Sequence, residues 1–157
     1  DSKALPFLER LVARYPNDPE IRGHLGHVYA GNQKWVSAAR LFEDATAQGG
    51  RYAFEAADQY RMAGRYRHAL RMNGQLPSSR RQAAQRVAIL FEQRQYARIV
   101  AMDSSFNDAG SNYRVAYSHY AVGDHAGASK RARALLETSY QDEAAALLRA
   151  MEREQTR

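Results

Sequence analysis

The sequence predicts an all-α chain: a right-handed superhelical solenoid of about four antiparallel helix hairpins, closed by a terminal capping helix. Three observations carry this. Apolar residues recur at three- and four-residue spacing through most of the chain, the period of an amphipathic helix. Breakers punctuate that pattern at near-regular intervals: Gly49-Gly50, Leu76-Pro77-Ser78-Ser79, Asn107 to Ser111, and Thr138-Ser139. No segment sustains a period-two alternation, so no strand is predicted.

The first hairpin is the clearest. Leu25, Gly26 and Tyr29 share one helical face, and Ala38, Phe42 and Ala45 share another after a short break. Two such helices joined by a tight turn form a hairpin. Gly26 and Ala38 are small enough to let the two backbones approach, while Tyr29, Trp35 and Phe42 fill the space around them. Before this hairpin, Ala4, Leu8 and Leu11 mark an earlier helix ending at Pro16. Asn17-Asp18-Pro19-Glu20 then reads as a stop and a new start, with Asp18 as N-cap and Pro19 in the first turn.

The same register returns three times. Ala57, Tyr60, Gly64, Tyr66 and Ala69 repeat it, Tyr29 to Tyr60 and Trp35 to Tyr66 both spanning 31 residues. Val87, Leu90, Tyr96 and Ile99 form a copy offset by 30, and Ala116, His119, Gly123, His125, Ala128, Ala132 and Leu135 one offset by 29. Ser78 or Ser79 is the expected N-cap of the third copy. The boundaries follow: a half repeat over 1–16, repeats over about 19–48, 51–76, 79–105 and 110–138, and a cap helix over 141–155. Together they form one domain over 1–157, read as a segment of a longer protein. In the cap helix, Ala146, Leu147, Ala150 and Met151 are expected to face inward, with the opposite face charged.

This succession of Leu-Gly, Tyr, aromatic, Ala, Phe and Ala resembles the tetratricopeptide repeat, as Leu25-Gly26, Tyr29, Trp35, Ala38, Phe42 and Ala45, with Pro16 as a closing proline. The departures are short offsets, against a family period of about 34 residues, and lost consensus residues. Gln33 stands where the family carries a small turn residue, Asn73 where an aromatic is usual, and Arg86-Val87 replaces Leu-Gly.

Composition narrows the chemistry. Apolar residues are 45% of the chain, enough for a core. No apolar run approaches the roughly 18 residues that span a bilayer. With no cysteine, disulfides, thiolate metal sites and cysteine nucleophiles are excluded. This fits a bacterial cytoplasm or periplasm without separating them. The net charge of +6 is uneven: residues 51–100 hold ten arginines against Glu55, Asp58 and Glu92, and the flanking segments are nearly neutral. Such a field attracts anionic partners by a salt-sensitive route.

No motif for catalysis or cofactor binding stands out, so no catalytic residue, cofactor or metal is predicted. His24 and His27 lie one helical turn apart, but Glu20 is the only nearby carboxylate on that face, too few ligands for zinc. The Arg-rich middle with Tyr60, Tyr66 and Tyr96 invites a nucleic-acid reading. Those tyrosines occupy packing positions, so nucleic acid is disfavoured.

The resemblance implies a concave groove lined by the first helix of each repeat. Carried over by position, its residues are His24 and His27; Phe54, Asp58 and Arg61; Arg81, Gln85 and Phe91; and Tyr113, Arg114, Tyr117 and Tyr120, with Glu55 and Met62 beside the second group. Tyr113, Tyr117 and Tyr120 form one stripe, and tyrosine with arginine is what binding hot spots favour. The places where some tetratricopeptide domains clamp a C-terminal carboxylate hold Gly23, His27, Glu55 and Asp58, whose acids oppose that use. The expectation is a scaffold binding a partner protein or peptide, acidic in character, on its concave face. Two alternatives stand beside it. Solenoids of this type also form periplasmic parts of envelope assembly or exopolysaccharide-export machines, where the basic middle would meet an anionic polysaccharide; this tips the compartment toward the periplasm. A self-assembling homo-oligomer would use the apolar first helix.

Overall fold

The computed structural model describes residues 4–156, and its described residues are helical with no strand. Ten helices follow in order: α1 Ala4–Arg14, α2 Pro19–Gly31, α3 Trp35–Ala47, α4 Ala53–Met62, α5 Tyr66–Asn73, α6 Arg80–Glu92, α7 Tyr96–Val100, α8 Ala109–Ala121, α9 His125–Arg133 and α10 Gln141–Gln155. The chain divides into two compact units, Asp1–Ser78 with α1 to α5 and Ser79–Arg157 with α6 to α10. No helix among the described residues is long and apolar enough to cross a membrane.

Capping sets the helix starts. The Asp18 carboxylate accepts from the Glu20 and Ile21 amides at 2.9 and 3.2 Å, and Pro19 opens α2 without needing a donor. Ser79, rather than Ser78, caps α6 by accepting from the Gln82 amide. Asp108 does the same for α8 through Ser111.

Four hairpin turns share one geometry. α2–α3, α4–α5, α6–α7 and α8–α9 are each joined by three residues, whose middle residue is left-handed: Gln33 (φ 58°), Gly64 (68°), Arg94 (56°) and Gly123 (85°). In the first turn the Gln33 and Lys34 amides donate to the Ala30 and Tyr29 carbonyls, both at 2.9 Å. The same pair of bonds recurs from Gly64 and Arg65, from Arg94 and Gln95, and from Gly123 and Asp124. This is the Schellman ending, which satisfies the last carbonyls of the first helix while turning the chain. Two of the four left-handed positions hold glycine, which adopts that backbone without strain; Gln33 and Arg94 do not have that freedom.

In the first unit, Leu25, Ala38, Ala39, Phe42, Ala45, Ala53, Ala56, Ala57, Tyr60, Ala69 and Met72 are buried. The many alanines bring helices close, and a few large side chains fill what remains. Gly26 serves a ring here, whereas the sequence reading gave it to close backbone approach. A Cβ on it would lie 2.8 Å from Cε1 of Phe42. Helix α1 packs beside α2 but buries no residue fully, and Phe7 stays exposed.

In the second unit, Ala116, Ala128, Ala132, Leu135, Ala144, Leu147 and Met151 form a cluster between the last hairpin and α10. The inward face of α10 is therefore Ala144, Leu147 and Met151, with Ala150 partly buried. Ala146, expected inside, is exposed. The helical period starting from Leu147 allows either residue, and packing against α9 selects Ala144 three positions before it. Asn73 is fully buried in the first unit although a polar residue at a core position would ordinarily be avoided.

Candidate functional site

The twelve residues assigned to partner binding fall into two sets, one on each unit. On the first unit, His24 and His27 are exposed on α2, while Phe54, Asp58 and Arg61 are partly buried on α4. Arg61 donates to Asp58 at 2.9 and 3.1 Å, an ion pair within one helical turn. Beside Arg61, Met62 exposes nearly half its surface.

Sequence reasoning missed Tyr52 here. This residue precedes α4 and lays its ring across Gly23 of α2, where a Cβ would come within 2.2 Å of the ring. Its hydroxyl donates to Glu20 at 2.7 Å, and the ring stacks on Phe42 with centroids 5.7 Å apart. Burial and then the Glu20 carboxylate push the Tyr52 hydroxyl up to about 12. His27 meets the same rings edge-on, 4.9 Å from Phe42 and 6.3 Å from Tyr52. So His27 presents a ring edge above a filled aromatic seat, and His24 stands more freely. The available signal was Gly23 and Gly26 three residues apart on one helix, a pair of gaps waiting for rings. Among the described residues no three of His, Asp and Glu are placed to hold a metal ion.

On the second unit, Arg81 is exposed at the start of α6, and Gln85 is buried one turn later. Phe91 and the α8 stripe are partly buried and belong to a chain of rings. Phe91, Tyr96 and Tyr117 form a triangle with all three centroid separations at 5.6 Å and edge-to-face angles of 62° to 70°. At that spacing each ring edge fills its neighbour's face, so the triangle is packing and leaves no space for a guest between rings. Tyr113 stacks on Tyr140 at 5.4 Å, and burial holds its hydroxyl above the ordinary tyrosine range. Tyr120 stacks on His125 and donates to Glu154 of α10 at 2.6 Å, while the other Glu154 oxygen lies 3.5 Å from Nε2 of His125. The stripe packs on the last hairpin and the tail helix, and its three rings, like Arg114, stay only partly buried. Tyr96, Tyr140 and Glu154 were not in the predicted set; Tyr96 was read as a packing residue and the other two lie far from α8 in sequence.

A pattern of tyrosine hydroxyls on carboxylates runs through both units. Tyr29 donates to Glu9 at 2.8 Å and Tyr60 to Glu43 at 2.5 Å, each tying a first helix to the helix preceding its hairpin. Glu43 also accepts from Arg71 at 2.6 Å. Burial raises the Glu43 carboxyl, but the Tyr60 and Arg71 hydrogen bonds outweigh it and hold the group below its ordinary value. In the fourth hairpin His119 takes the tyrosine position. It meets Asp124 through Nδ1 at 2.6 Å, and Arg131 donates to its Nε2 at 3.1 Å. The geometry suits a neutral ring with Nδ1 protonated.

These sites offer aromatic surface, guanidinium groups and hydrogen-bonding hydroxyls. Compared with protein-family models, curated proteins and solved structures, the chain matches none.

Proposed function

We propose that the four hairpins are divergent tetratricopeptide-like repeats of one superhelical array, and that the chain binds a partner protein or peptide through its first-helix faces rather than catalysing a reaction. The observation that carries this reading is the repeated hairpin ending. The same left-handed turn with the same two backbone bonds stands at Gln33, Gly64, Arg94 and Gly123, at intervals of 31, 30 and 29 residues. Repeated hairpins that bury faces on their neighbours leave first-helix side chains for recognition. Arg81, Arg114 and the partly exposed Tyr113 and Tyr117 supply the residue types that dominate binding energies. The arginine excess favours an acidic partner.

The test is direct. Partners recovered with the tagged chain are purified, and their affinities measured against Arg81→Ala and Tyr117→Ala with helicity checked by circular dichroism. A loss of roughly five-fold or more in affinity with the fold intact is expected. Unchanged affinity for both variants removes the α6–α8 face from the proposal.

A further inference from the structure

The tips of the first two hairpins border an open surface cavity of about 480 Å³ lined by Gln33, Lys34, Trp35, Val36, Ser37, Met62 and Ala63. It meets the end of α4 at Met62, next to Arg61, and none of the α8 residues lines it. Trp35, Val36 and Met62 make its walls apolar, and Met62 stays 46% exposed although it sits in the first unit beside well-filled core. No acid lines it. Asp58, one turn before Met62, is already held by Arg61. Lys34 contributes a cation that makes no ion pair among the described residues, its ammonium resting 5.2 Å from the Tyr29 ring centroid.

The fourth hairpin shows what the electrostatics of this position favour. In the shared turn register, Lys34 corresponds to Asp124. There the Asp124 carboxylate caps α9, accepting from the Gly127 amide at 2.9 Å, and that bond, followed by His119, lowers its carboxyl below the ordinary range. At the first hairpin a lysine occupies the same place, and no side chain caps α3. The first-turn amides and the Lys34 charge therefore border the apolar cavity, and among the described residues no side chain caps α3 and no carboxylate pairs with Lys34.

We propose that this tip cavity docks an acidic peptide segment carrying a large apolar side chain: the side chain enters between Trp35 and Met62, and an adjacent carboxylate meets Lys34 and the start of α3, as Asp124 does within α9. Charge complementarity selects this occupant over a basic or a purely apolar one.

Trp35 is the single tryptophan of the chain, so its emission reports on the cavity directly. The intact chain is titrated with the peptide acetyl-Asp-Glu-Leu-Phe-Asp-Glu-amide. A saturable change in Trp35 emission is expected, weakening as salt is raised. Lys34→Glu, an exposed position that leaves the turn backbone unchanged, is expected to raise Kd by roughly five-fold or more. Peptides with lysine in place of the acids, or alanine in place of Leu-Phe, are expected to bind far more weakly. Tyr117→Ala is expected to leave the titration unchanged, which separates this surface from the α8 face. The proposal is overturned by no saturable change up to about 1 mM peptide, by equal binding of the lysine peptide, by a Kd unaffected in Lys34→Glu, or by loss of binding in Tyr117→Ala.

Discussion

The first hairpin, α2 and α3, and the third, α6 and α7, turn in the same way and then diverge. Both place a non-glycine residue in the left-handed position, Gln33 and Arg94, and both close with the same two backbone bonds. Yet α3 runs for thirteen residues and buries Ala38, Ala39, Phe42 and Ala45, whereas α7 stops after five and buries only Ile99. The chain beyond α7 passes through Asp103, itself left-handed at φ 41°, and reaches Phe106 in non-helical backbone. Phe106 is buried all the same, because the Asn112 side chain donates to its carbonyl at 2.7 Å and accepts from its amide at 2.9 Å. The lesson is a division of labour. The turn is specified by backbone hydrogen bonds that tolerate several side chains, and the length of the second helix by whether apolar side chains continue along it.

That contrast can be broken most strongly at Phe42. Phe42→Ala empties the space over Gly26 and against Tyr52, and is expected to destabilise the chain by about 3–5 kcal/mol in urea unfolding. A loss below about 1 kcal/mol would mean that the alanine-rich core collapses around the gap. Asn112→Ala comes next. It leaves the Phe106 amide and carbonyl without their partner and should cost about 1–3 kcal/mol, with faster amide exchange confined mainly to residues 103–107. Uniform exchange across the chain would contradict the local role. Smaller effects test the turn. Gly64→Ala and Gly123→Ala should each destabilise by about 1 kcal/mol. Gln33→Gly and Arg94→Gly should stabilise by roughly half to one kcal/mol, the relief of left-handed strain exceeding the entropy added to the unfolded chain. Thermal melts of the four variants check the opposite signs.

The smallest effect is electrostatic. Glu43, below its ordinary value in the folded chain, contributes stability that is present above its unfolded pKa of 4.5 and lost as pH falls through the folded value. Wild type should therefore exceed Glu43→Gln in stability near neutrality, with the gap narrowing in acid. A gap that is constant with pH would show that the Tyr60 and Arg71 hydrogen bonds act without the charge.

Much of the helical organisation is legible in the sequence. The turn positions recur at the offsets read from Tyr29, Tyr60, Leu90 and His119, because side chains that pack in a hairpin must keep its 3.6-residue period. The Asp18 and Ser79 caps are equally local, since an N-cap is a matter of one side chain and the next two or three amides. The candidate site was less legible. Tyr113, Tyr117 and Tyr120 fall on one stripe as the spacing requires, but spacing cannot tell a ring edge turned to solvent from one stacked on Tyr140 or tied to Glu154. Ala144 in place of Ala146 has the same origin: both lie within the arc that a helix could bury.

What the sequence by itself determined is the type and order of the elements, because helix period, caps and breakers act over a few residues. Only the tertiary structure decided which gaps are filled and by what: Tyr52 over Gly23, Phe42 over Gly26, Asn112 clasping Phe106, and α7 ending at Val100. Those outcomes depend on side chains distant in sequence competing for the same volume, and close packing resolves that competition only when all of them are present.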